Sequence, residues 1–133
     1  MLKIQVMETR ENIYTQHAEN ADWMNRLAFY KEEITILKEL LAEIAQKNTS
    51  QETLKTVEHF QNQFIVQRNN LDELAHNIKM HEHKLEQEID LNPVAVDHRK
   101  MEYHQAEKEF IDYFEANFNT LRQEFKTFAA QWM

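Results

Sequence analysis

The stretch IDYFEANFNTLRQEFKTF, residues 111 to 128, carries the pattern that decides the fold. Its large apolar side chains recur every seven residues in two interleaved rows. The first row holds Ile111, Phe118, Phe125 and then Trp132, and the second holds Phe114, Leu121 and Phe128. This spacing places both rows on one face of an α-helix, and such a seam has to be buried against other helices. We therefore predict a helix over residues 93–131.

The same spacing extends through two earlier segments, residues 8–47 and 50–89. The first segment has rows formed by Ile13, Leu27, Ile34 and Leu41 and by Trp23, Tyr30, Leu37 and Ile44. The second has Val57, Phe64, Leu71, Ile78 and Leu85, with Phe60 and Leu74 between them. Each segment is thus predicted to be a long helix that contributes one apolar seam to a shared core.

Two short polar stretches separate these segments. In KNTSQET, residues 47–53, Asn48 can end a helix, and Thr49 followed by Glu52 has the spacing of a capping box. In DLNPVAV, residues 90–96, Asn92 can cap a helix whose first turn holds Pro93. Both connections are short, so consecutive helices are expected to pack antiparallel.

The chain has no glycine and a single proline among 133 residues. Tight β-turns and phosphate-binding loops depend on glycine, so β-rich, Rossmann-like and P-loop folds are disfavoured. We predict an all-α fold in which residues 1–133 form one domain, an elongated, coiled-coil-like, up-down-up three-helix bundle. In layout it resembles a spectrin repeat with a tryptophan, Trp23, on the first helix; this resemblance implies an architecture and no function.

Charge and composition restrict the possible functions. The formal net charge is −8, which opposes binding to nucleic acids and to anionic membranes. No apolar run approaches a membrane span, and the apolar part of MLKIQVMETR is too short for a signal peptide, so a cytoplasmic protein is expected. There is no cysteine, the only serine is Ser50 at a helix start, and the turns are too short to build a pocket. We therefore expect neither enzymatic activity nor a resident cofactor.

Polar residues interrupt the predicted core towards one end of the bundle. His81, His104 and Glu107 take seam positions, as do Gln16 and Asn20, and His17 flanks the latter two. Folding the chain about residue 49 and about Pro93 gathers them, whereas His76 and His83 face outwards. The first interpretation is a hydrogen-bonded polar layer in the core. The alternatives are a zinc or non-haem iron site on His17, His81, His104 and Glu107, and a pH-responsive switch using His81 and His104.

Several apolar residues lie outside the seams. The first helix carries Phe29 and Ile36 on its far side with Leu40 at the edge, and the second carries Ile65 and Val66. Antiparallel pairing predicts that these five residues form one outward patch near the middle of the bundle. Tyr103, Phe110 and Tyr113 widen the apolar face of the third helix. An apolar patch of this kind marks a contact surface, so the sequence favours a protein that binds a protein partner, with a homodimer as the expected form.

Overall fold

Three long α-helices form the protein. A computed structural model describes the backbone of residues 2–91 and 97–132, and the side chains of residues 13–87 and 102–132. Helix α1 spans Leu2–Lys47, α2 spans Gln51–Leu91 and α3 spans Asp97–Ala130. The described chain is 95% helical, contains no strand, and packs all three helices together. The predicted all-α three-helix bundle is confirmed, and α1 extends further towards the amino terminus than residue 8.

The connection between α1 and α2 covers residues 48–50, as predicted. The Asn48 side-chain amide donates to the Ile44 carbonyl over 2.8 Å, which satisfies one of the free carbonyls at the end of α1. The carbonyl of Ser50 accepts the backbone amide of Leu54, so Ser50, rather than Thr49, is the residue that immediately precedes α2. No residue of the described backbone has a positive φ angle, which explains how this turn forms without glycine. The predicted cap at Asn92 and Pro93 lies outside the described residues.

The chain divides into two compact units, each built from parts of all three helices. Unit 1 contains Met1–Leu27 and Glu73–Ile111, and unit 2 contains Ala28–Asp72 and Asp112–Met133. Both have a core made by the predicted seams. The buried apolar residues include Trp23, Leu27, Ile78, Leu85 and Ile111 in unit 1, and Ile34, Leu41, Phe64, Phe118 and Phe125 in unit 2. That the chain is a single domain stays a prediction.

The core of unit 2 is mainly aromatic. The ring of Phe64 packs edge-on against Phe125 at 5.3 Å between centroids, and Phe60 contacts both Phe125 and Phe128. Each ring removes a large apolar area from water, and edge-to-face pairs add to this stabilisation. The phenylalanine side chains of the α3 seam are therefore packed against other core side chains.

The end of α3 differs from the prediction. Trp132 continues the seam in sequence, yet it is exposed, because α3 ends at Ala130 and a turn follows. Ala129 is buried in that last part of the helix and Phe128 is half-buried. Heptad spacing places residues on one face only while the chain is helical, so it no longer predicts which residues are buried beyond Ala130. Within the described residues, no helix has an apolar stretch long enough to cross a membrane.

Candidate functional site

In unit 1, a cluster of polar side chains joins α1 to α2. The Nδ1 atom of His17 contacts the Oε1 atom of Glu82, and the side-chain amide of Asn20 donates to Glu82 Oε2 over 2.6 Å. Asn20 is only 5% exposed, whereas His17 is largely exposed. Glu86, one turn after Glu82, completes the cluster. Both oxygens of the Glu82 carboxylate are therefore held by α1, one from the core and one from the solvent side.

A second contact joins α2 to α3. Glu107 is 4% exposed, and its carboxylate faces Nδ1 of the half-exposed His81. Burial raises the pKa of Glu107, because the charged carboxylate loses solvation; His81, and to a smaller extent His104, oppose this shift without cancelling it. The ring of His81 also lies near the ring of Tyr103, with 5.6 Å between ring centroids. Ionisation of the buried Glu107 carboxyl is thus energetically unfavourable, and the imidazole of His81 is the group that faces it.

The third histidine of the predicted set connects α3 to α1. The ring of His104 stacks on Trp23 with 4.6 Å between centroids, and its Nε2 atom lies 3.2 Å from Glu19 Oε2. The stacking covers most of the imidazole, and the carboxylate contact gives its polar edge a partner. His104 therefore belongs to the wall of the core, as its seam position predicts.

The four predicted ligands do not converge on a single point. Instead, His17 pairs with Glu82, His81 with Glu107, and His104 with Glu19. Among the residues with described side chains, one group of three possible metal ligands has its ligand atoms within 4.8 Å of one another, namely His17, Glu82 and Glu86. This pattern is closer to a polar layer of separate pairs than to a four-ligand cage.

The heptad pattern does not predict Glu19, Glu82 and Glu86, because these residues lie outside the seam positions. Glu82 lies directly after the seam residue His81, on the flank that faces α1. The same antiparallel pairing that brought residue 17 beside residue 81 would have found it. The outward positions of His76 and His83 were predicted correctly, since both are exposed.

In unit 2, four of the five residues of the predicted patch are exposed. Phe29 and Ile36 have 65% and 62% of their surface accessible, Ile65 and Val66 about half, and Leu40 is half-buried at the edge of α1. Large apolar side chains that are exposed one heptad apart on the same helix, as Phe29 and Ile36 are, indicate a surface that can pack against another apolar surface.

Two ion pairs show how these residues are oriented. Lys31 Nζ lies 2.9 Å from Asp72 Oδ1, so this flank of α1 faces α2, whereas Glu33 pairs with Arg122 of α3. With 3.6 residues per turn, Phe29 and Ile36 lie within about 60° of the direction of Glu33. The stripe formed by Phe29, Ile36 and Leu40, called the α1 stripe below, therefore lies on the flank of α1 towards α3.

The two α2 residues of the predicted patch point elsewhere. Ile65 is seven residues before Asp72 and so shares the flank of α2 that faces α1 at Lys31. Val66 is turned about 100° further round the helix. The structure thus divides the predicted patch into the α1 stripe and a separate α2 pair.

Comparison of the chain with protein-family models, with curated proteins and with solved structures finds no match.

Proposed function

We propose that this protein is a non-enzymatic helical bundle that acts by binding another protein, and that this partner is a second copy of itself. The observation that carries the proposal is the α1 stripe, in which Phe29 and Ile36 stand one heptad apart and remain about two-thirds exposed. A seam of heptad spacing is the form in which one helix recognises another. We also propose that it plays this role in the cytoplasm, as its sequence leads us to expect.

The size of the α1 stripe is compatible with a weak dimer. Its exposed side chains offer on the order of 250 Å² of apolar surface per copy. Removing two such surfaces from water contributes about 12 kcal/mol at ~25 cal/mol per Å². The loss of translational and rotational freedom costs roughly 4–15 kcal/mol. With a cost at the low end of that range, about 8 kcal/mol remains, which corresponds to a dimer that forms at micromolar concentrations.

Charge sets the conditions for this dimer. Two copies with a formal charge of −8 each repel one another, and dissolved salt screens that repulsion. A two-fold arrangement needs only one self-complementary surface, so the α1 stripe of one copy can pack against that of the next with acidic residues at the rim. We therefore expect the dimer to strengthen as the salt concentration rises.

Sedimentation analysis of single variants tests the proposal. Ile36→Glu should give a monomer that stays fully helical, because it places a charge in the centre of the contact. Gln61→Glu adds the same charge at an exposed polar position of α2 and should leave the dimer unchanged. Ile65→Glu should also leave it unchanged, since the α2 pair lies on a different surface.

Two results would contradict the proposal. If the wild-type chain sediments as a monomer at several hundred micromolar, the protein does not form the proposed homodimer. If Ile65→Glu dissociates the dimer and Ile36→Glu does not, the α2 pair is the contact and the α1 stripe is not.

A further inference from the structure

The group formed by His17, Glu82 and Glu86 has a second feature besides the His17–Glu82 ion pair. Its two carboxylates are four residues apart on α2, so they project from the same face of the helix, and the imidazole reaches them from α1. Three ligand atoms, one from each residue, lie within 4.8 Å of one another. Zinc binds imidazole nitrogen and carboxylate oxygen, and three protein ligands leave one tetrahedral position for water.

The carboxylate of Glu82 is positioned from the core. Asn20 is 5% exposed and donates its side-chain amide to Glu82 Oε2, so this amide has little freedom to turn away. Its other polar atom, Oδ1, is buried and has no hydrogen-bond partner in the described part of the chain. A buried amide that is only half satisfied is destabilising by itself, and here its one bond orients the carboxylate towards His17. Outer hydrogen bonds of this kind fix the ligands of metal sites.

The remaining geometry can accommodate an ion with small movements. Tetrahedral zinc with bonds of about 2.1 Å requires its ligand atoms to be about 3.4 Å apart. His17 and Glu86 are exposed and have room to move, whereas Glu82 is held by Asn20. Imidazole as a ligand favours first-row transition metals and zinc over calcium or magnesium.

From this arrangement we propose that His17, Glu82 and Glu86 form a binding site for one divalent zinc-type cation, which links α1 to α2 in unit 1. Asn20 acts as the positioning residue that holds Glu82. The imidazole binds through a deprotonated ring nitrogen, both carboxylates bind as anions, and water completes the coordination. The ion replaces the contact between His17 and Glu82 and relieves the repulsion between the two glutamates. This site shares no residue with the α1 stripe, so it can be present or absent independently of the dimer.

Calorimetric titration of the full-length chain with zinc chloride, in a buffer that does not chelate metals, tests the site. We expect one zinc ion per chain at this site and a melting temperature that rises with the zinc concentration, because the ion binds the folded state. His17→Ala and Glu82→Gln should each weaken zinc binding at least tenfold and abolish most of the rise in melting temperature. Glu86→Gln should weaken it as well.

Matched controls separate this site from ordinary surface binding. His59→Ala and Glu58→Gln remove an exposed imidazole and an exposed carboxylate from α2 within unit 2, and should leave the zinc affinity unchanged. Cobalt(II) serves as a spectroscopic probe, since its visible absorption should intensify on binding and this change should be lost in His17→Ala.

The helical content of each variant, measured by circular dichroism, shows that it is folded. The proposal is overturned if the wild type takes up no zinc, or if its affinity is the same in the folded His17→Ala and Glu82→Gln variants. It is also overturned if His59→Ala weakens binding as much as His17→Ala does.

Discussion

Replacing Phe118 by alanine tests the packing of unit 2 most directly. The Phe118 side chain is completely buried, with the ring of Tyr30 at 5.1 Å and that of Phe114 stacked at 5.9 Å between centroids. The guanidinium carbon of Arg122 lies 4.8 Å from the centre of the same ring. Truncation therefore removes a ring from between neighbours on two helices and leaves a cavity.

The size of the effect follows from these contacts. Substitution of a buried phenylalanine by alanine costs about 3–5 kcal/mol, because transfer free energy is lost and the cavity collapses only in part. Each aromatic pair contributes roughly 0.5–1.5 kcal/mol, which places Phe118 in the upper half of that range. We expect a loss of about 4 kcal/mol in the free energy of unfolding, equivalent to a fall in melting temperature of roughly 10–20 °C.

Urea unfolding followed by circular dichroism measures this loss. Phe110→Ala is the matched control, since it removes the same atoms from α3 at a position that is 60% exposed, and it should cost under about 1 kcal/mol. Phe118→Leu should fall between the two. Equal losses in Phe118→Ala and Phe110→Ala would show that the described face of α3 is not the one that packs into the core.

Two further predictions concern charged residues. Burial raises the pKa of Glu107 above its ordinary value of 4.5, so between these two values the folded chain keeps a proton that the unfolded chain releases. The stability that this group contributes is therefore present below pH 4.5 and is lost as the pH rises through the raised pKa. The free energy of unfolding of the wild type, relative to Glu107→Gln, should therefore fall from pH 4.5 towards neutrality in urea titrations, and a rise would mean that the pair with His81 outweighs burial. Arg122→Lys keeps the charge but loses the two-point contact with Glu33 and the stacking on Phe118, so thermal unfolding should show a loss of about 1–2 kcal/mol. A lysine variant as stable as the wild type would show that the charge alone matters.

The amino-acid sequence by itself determined the helices and their buried faces. Rows such as Phe118 and Phe125 repeat every seven residues, and a row of this kind fixes which side of a helix avoids water whatever the neighbouring helices do. The turn at residues 48–50 was equally predictable from sequence, because Asn48 can satisfy a carbonyl that the end of any helix leaves free. The exposure of Trp132 was not, since it depends on where α3 stops.

Only the tertiary structure decided which polar and exposed side chains meet. His81 and Glu82 are adjacent in sequence, yet it is Glu82 that contacts His17. Neighbouring positions on a helix point about 100° apart, so only one of the two can face α1 in this way. Likewise, Ile36 and Ile65 are both exposed in unit 2, yet the ion pairs of Glu33 and Lys31 show that they lie on different surfaces. A heptad pattern specifies the face of a helix that packs inwards. The contacts between the flanks of neighbouring helices depend instead on the rotation and axial stagger of each helix, and these are determined by the packing of all three helices together.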